Sequence, residues 1–127
     1  MDSRANCETG AIGESLARDY LVSRGFRIID TNFRTPYGEL DIIAAKNNTT
    51  VFIEVKTRIT DIYGDPFHSI DKRKERHIIN SCKYYMSEKE LFDSQCRIDA
   101  IGILIDAKGK PKILKYIRNA IEDEEYQ

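Results

Sequence analysis

Gly38-Glu39-Leu40-Asp41-Ile42-Ile43-Ala44-Ala45 and Val51-Phe52-Ile53-Glu54-Val55-Lys56-Thr57-Arg58 are the two runs from which the rest of the chain can be read. Both are rich in residues that favour strands, and only a short polar segment, from Lys46 through Asn47 and Asn48, divides them. They predict a β-hairpin. Side chains alternate along a strand, so Val51, Ile53 and Val55 point one way and Phe52, Glu54, Lys56 and Arg58 the other. In the preceding strand the same rule groups Glu39, Asp41 and Ile43 against Leu40, Ile42 and Ala44. If the charged faces pair, Asp41 comes close to Glu54 and Lys56.

Alternating Glu and Lys on a sheet can serve solubility and cross-strand ion pairing alone, and Glu54-Val55-Lys56 by itself says no more than that. Asp41 changes the balance, because neighbouring carboxylates repel one another unless a cation neutralises them. Mg²⁺ takes one or two protein carboxylates and completes its shell with water and phosphate oxygens. It would polarise a scissile phosphate and acidify a bound water. Asp41 and Glu54 are thus candidate catalytic and metal-ligating residues, and the Val55 carbonyl between Glu54 and Lys56 is a further candidate ligand. Lys56 would orient or help activate the attacking water and offset charge on the phosphate.

Working outward, residues 8–23 predict an amphipathic helix, with Ile12, Leu16 and Tyr20 beside Ala17 and Leu21. Gly25 suits its C-terminal end. A strand follows at 26–33, then a turn at Thr35-Pro36-Tyr37-Gly38. On the other side lie a loop at 60–66 and a helix at 71–91 with an apolar stripe of Ile78, Cys82, Tyr85 and Met86. Strands at 97–105 and 112–117 flank Asp106-Ala107-Lys108-Gly109 as a second hairpin, and a short tail is open to helix formation. Helix, three strands, helix and two strands make an α/β sandwich around a central mixed sheet.

Length and composition agree with one domain over residues 1–127: 41% hydrophobic and 32% charged residues suit a globular chain. There are no repeats or low-complexity segments, and no apolar run reaches the length of a membrane span. A cytoplasmic protein without membrane contact is expected. Cys7, Cys82 and Cys96 are widely spaced and odd in number, which predicts reduced thiols with packing roles. The net charge of -1 does not suggest a nucleic-acid binder. Its distribution is more informative, since Glu122, Asp123, Glu124 and Glu125 collect in a tail (122–127) while Lys72, Arg73, Lys74 and Arg76 form a basic run. A solvated helix face is the ordinary meaning of such a run, yet a neutral total can hide a basic surface.

Gly38-Glu39-Leu40-Asp41 followed by Phe52-Ile53-Glu54-Val55-Lys56-Thr57-Arg58 resembles the YraN-like family of bacterial proteins, in the restriction-endonuclease-like, PD-(D/E)XK nuclease superfamily. Gly10-Ala11-Ile12-Gly13-Glu14 with Ala17 is similar to the family's first helix. Arg24-Gly25-Phe26-Arg27-Ile28-Ile29 and Asn32-Phe33-Arg34 are similar to its first strand. Asp71-Lys72-Arg73-Lys74, Arg97-Ile98-Asp99 and Ile117-Arg118-Asn119-Ala120 fit later motifs, so the resemblance spans nearly the whole chain. It implies a restriction-endonuclease-like three-layer sandwich with a central mixed five-stranded sheet flanked by helices. It also implies a metal-dependent endonuclease, using Mg²⁺ or Mn²⁺ to cut DNA, with branched or damaged DNA among the expected substrates.

The architecture is also similar to archaeal Holliday-junction resolvases, which place a glutamate on the first helix. Glu14 matches it, and the resemblance makes Glu14 a catalytic and metal-site residue rather than only a helical partner of Arg18. Its small neighbours Gly10, Gly13 and Ala17 would let the helix approach the sheet. Glu39 ranks below Asp41 and Glu54 as a ligand. Leu40 departs from the proline of the superfamily's name, and Tyr116 stands where relatives often carry His, so it is given no catalytic work. Arg34, Arg58, Lys72, Arg73, Lys74 and Arg76 become expected phosphate contacts, which give affinity without sequence readout. Lys74 could also reach the active site. His68 and His77 are expected as surface or core residues. Resolvase-like cutting would need two active sites and hence a homodimer. The competing readings are a nucleic-acid-binding protein without cleavage and a scaffold whose acidic tail docks a partner. Neither requires paired carboxylates.

Overall fold

A computed structural model describes residues 3–58, 71–91 and 93–123. The expected loop at 60–66, His68 and the last four residues of the acidic tail lie outside these, as does the side chain of Cys7. The elements are α1 (Ser3–Ser23), β1 (Arg27–Thr35), β2 (Gly38–Lys46), β3 (Thr49–Arg58), α2 (Lys72–Glu88), β4 (Gln95–Ile105) and β5 (Pro111–Ile121). The strands form one five-stranded sheet in the order β1-β2-β3-β4-β5. Neighbours are antiparallel except β3 and β4, which are parallel. A parallel pair needs a crossover connection, and α2 lies in it.

Two apolar clusters separate three layers. Ala17 and Leu21 of α1 pack on Ile42, Ala44, Val51 and Ile53. Ile79, Cys82 and Tyr85 of α2 pack on Leu40, Ile43 and Phe52. The expected sandwich with a central mixed sheet is therefore present. Among the described residues no helix is long and apolar enough to cross a membrane.

Local chemistry sets the element ends. The Asp71 carboxylate caps α2 by accepting the Lys74 N–H at 2.9 Å. After α1, Gly25 takes φ +90°, and the Phe26 N–H turns back to the Leu21 carbonyl at 3.0 Å. Asn47 and Asn48 both have positive φ (51° and 61°), the conformation of a tight two-residue hairpin, here built without glycine.

Four expectations need correction. Ile12 is 42% exposed and does not belong to the buried stripe of α1. Gly10 has no neighbour within 4 Å of where a Cβ would stand, so only Gly13 and Ala17 bring the helix onto the sheet. Cys96 is exposed, unlike the buried thiol of Cys82. The chain after Ile117 is not helical, since β5 continues to Ile121 through a register shift opposite Asp99. At that shift Asn119 takes φ 53° and its N–H donates to Asp99 Oδ1 at 3.0 Å. Asp99 is fully buried and also accepts from Arg97 Nε at 3.1 Å and from the Tyr116 hydroxyl. Burial, then the bond to Asp99, holds the Tyr116 phenol in its protonated form. Arg97, Asp99, Tyr116 and Asn119 thus form a satisfied polar network that fixes the β4–β5 register.

Candidate metal centre at the fork between β2 and β3

The antiparallel ladder of β2 and β3 runs from Lys46↔Thr49 to Ile42↔Ile53. The next rung would set Asp41 opposite Glu54, but the pairing ends there. The Val55 N–H instead donates to Asp41 Oδ2 at 2.8 Å. A side chain has replaced a ladder bond, and the strands open into a fork with Asp41 on one prong and Glu54 on the other. The alternation of β2 breaks at the same point. Leu40 and Ile43 both pack in the α2-side cluster while Ile42 packs on the α1 side, which corrects the grouping of Leu40 with Ile42 and Ala44. In β1, between the rungs Thr31↔Ile42 and Phe33↔Leu40, Asn32 takes φ 52° level with Asp41.

Glu54 is only 7% exposed, and Asp41 is partly buried. Burial, then the charge of Asp41, pushes the Glu54 carboxyl well above the usual range. Burial also raises Asp41; the Val55 N–H opposes that shift, and the charge of Glu14 adds to it. The Lys56 ammonium favours the ionised form of both, and Glu39 disfavours it. The structure therefore brings Asp41, Glu54 and Lys56 together, with Glu14 and Glu39 in the same field.

Glu14 reaches this place because its neighbour Gly13 is pressed against β3. A Cβ at Gly13 would lie 2.1 Å from Thr57 Oγ1. Asn32 joins the group as a residue that pattern reading did not assign to the site. With its amide nitrogen turned toward the carboxylates, it donates to Glu14 Oε1 at 2.8 Å and Glu39 Oε1 at 2.9 Å. The available signal was an Asn inside a predicted strand, since Asn accepts positive φ more readily than most residues.

The donor set fits a hard cation of the Mg²⁺ kind. Among the described residues no three His, Cys, Asp or Glu side chains are grouped to enclose a metal on their own. Mg²⁺ does not require such a cage, because it keeps several waters and uses one or two carboxylates. A buried carboxylate whose proton affinity is raised by a second carboxylate beside it is the arrangement that a proton or a cation relieves.

The expected phosphate contacts have varied surroundings. Arg73 and Lys74 are exposed on the first turn of α2. Lys72 pairs with Glu75 at 3.7 Å, Arg34 with Glu39 at 3.6 Å, and Arg58 Nη1 donates to the Thr57 carbonyl at 3.2 Å. Arg76 and Lys83 both meet Asp123, at 3.6 and 3.0 Å, so this part of the acidic tail folds back on α2. His77 is exposed.

The fold and the fork together define an α/β sandwich with an acidic, lysine-flanked cluster at a break in its central sheet. The chain belongs to the uncharacterised protein family UPF0102, the YraN-like family that its motifs resemble, and the family profile matches residues 13–103. It is 37% identical over 119 residues to a UPF0102 protein of Clostridium acetobutylicum, covering 94% of this chain and 98% of that one. A UPF0102 protein of Moorella thermoacetica is 36% identical over 111 residues, with 87% and 92% covered. One from Mycobacterium bovis is 44% identical over 111 residues, with 86% and 87% covered. Among solved structures, Pyrococcus furiosus SfsA in complex with Ca²⁺ aligns with a TM-score of 0.42 and 18% identity. That alignment covers 96% of this chain, which spans 66% of the length of that protein.

Proposed function

We propose that this chain is a metal-dependent endonuclease that hydrolyses DNA phosphodiester bonds, with branched or damaged DNA among its substrates. The observation that carries the reading is the fork: two carboxylates, one almost fully buried, held at an interrupted ladder beside a lysine. A sheet gains nothing in stability from such a pair. When bound, Mg²⁺ or Mn²⁺ would neutralise the scissile phosphate and acidify a water. Asp41 and Glu54 would hold it, with the Val55 carbonyl and Glu14 as further ligands. Lys56 would orient the attacking water and offset the charge that builds on phosphorus-bound oxygens as a P–O ester bond breaks. Water supplies a hydroxyl to the phosphorus and a proton to the departing oxygen. Arg73 and Lys74, with Arg34, Arg58, Lys72 and Arg76, would meet backbone phosphates.

Exposed Arg73 and Lys74 also favour a second reading, nucleic-acid binding without cleavage. Labelled duplex, single-stranded and four-way-junction DNA, incubated with Mg²⁺ or Mn²⁺ and in parallel with chelator, separates the two. The proposal expects cutting only with metal, lost by at least about 100-fold in Asp41→Asn and Glu54→Gln and by about 10- to 100-fold in Lys56→Ala. No cutting of any substrate, or cutting that survives both carboxylate substitutions, would overturn it. Affinity that persists in chelator and vanishes in Arg73→Ala/Lys74→Ala, without cleavage, would establish the binding reading.

A further inference from the structure

We infer that Asn32 is a positioning residue of this centre, whose side-chain amide fixes Glu14 of α1 and Glu39 of β2 as one rigid pair against the fork. The inference rests on the reading of the fork as a cation site. Three observations carry it. Asn32 stands at φ 52° within β1, a conformation most side chains avoid. That turn of the backbone falls level with Asp41, where the alternation of β2 breaks. Its amide then lies within 2.8 and 2.9 Å of carboxylates from two different elements.

The chemistry of the amide suits the task. A primary amide has two N–H donors and no charge. It can therefore hold two carboxylates at once without cancelling the negative field that a cation would need. Lysine or arginine at the same place would neutralise that field, and aspartate would have no hydrogen to donate. A carboxylate oriented by a fixed hydrogen bond loses less freedom when it turns to a metal or to a metal-bound water, which is how outer partners tune metal affinity.

A purely structural role is the alternative, since position 32 needs a residue that accepts positive φ. Asn32→Gly separates the two, because glycine keeps the backbone and removes the amide. The test is a Mn²⁺ titration of the full chain followed by the electron paramagnetic resonance signal of free Mn²⁺, with melting in chelator as the control for folding. Asn32→Gly is expected to weaken Mn²⁺ binding by about 10- to 100-fold, while melting in chelator changes little. In a Glu14→Gln/Glu39→Gln background the same substitution should add less than about twofold, as expected when partners act as a unit. Asn32→Asp should weaken binding as well, although it adds a carboxylate.

Wild-type-like affinity in Asn32→Gly, tighter binding in Asn32→Asp, or an undiminished loss in the double background would each overturn the inference. A wild-type chain that leaves the free Mn²⁺ signal untouched would instead overturn the cation reading itself, and the role of Asn32 with it.

Discussion

Glu54 beside Asp41 places two like charges where water screens them poorly, so in the metal-free protein at least one proton stays on the pair into the neutral range. Asp41 moves from an ordinary 3.8 to about 6 and Glu54 from 4.5 to about 8, burial being the first cause of each. The sign of the consequence follows from linkage. The folded state binds these protons more tightly than the unfolded chain, so their contribution to stability is fully present below about pH 4 and is lost as pH rises through 6 and 8. The melting temperature of the chelated protein should therefore fall as pH rises across this window. Glu54→Gln should remove much of the fall, and saturating Mg²⁺ should reverse it at pH 8. A flat profile in chelator would contradict the electrostatic account of the fork. Pattern reading could name Asp41, Glu54 and Lys56, because alternation and pairing need only the local run. It could not name Asn32, whose role depends on a positive-φ backbone turn in a different strand.

At the scale of elements, the approach of α1 to β3 sets where Glu14 falls. Gly→Ala inside a helix ordinarily gains about 1 kcal/mol in propensity. Here the new methyl would stand 2.1 Å from Thr57 Oγ1 and 3.2 Å from Thr57 Cβ. The overpacking cost, about 1–3 kcal/mol, is the larger effect. Gly13→Ala is expected to lower the melting temperature and to weaken metal binding by displacing Glu14, and Thr57→Ser should not rescue it, whereas Thr57→Gly should in part. Unchanged melting and metal affinity in Gly13→Ala would show that the helix does not depend on this contact. The helix itself, its end at Gly25 and the stripe through Ala17 and Leu21 were legible, because they follow from period and capping. The outward position of Ile12 was not, since a periodic stripe does not say how far a helix overhangs its sheet. Leu40 defeated the alternation rule for a related reason: the rule holds along a regular ladder, and β2 stops being regular at Asp41.

For the whole molecule, element order and the change from helical to strand periodicity were enough to anticipate a mixed sheet between helices. What escaped was long-range and polar. Asp123 was counted with the acidic tail, yet it meets Arg76 and Lys83 of α2. Asp99 and Tyr116 carried no periodic signal as a pair, and only the register of β4 against β5 brings them together. The same holds for the fork, which exists because two strands part where ideal pairing would continue. In the proposed reading, a divalent cation takes the place of protons between Asp41 and Glu54. Calorimetric titration of the metal-free chain with Mn²⁺ near pH 7, in two buffers of different ionisation heat, measures cation and proton together. One cation should bind per chain with release of about one proton, and Glu54→Gln should bind far more weakly with less release. Absence of binding, or binding that releases no protons and is indifferent to Glu54, would contradict the account.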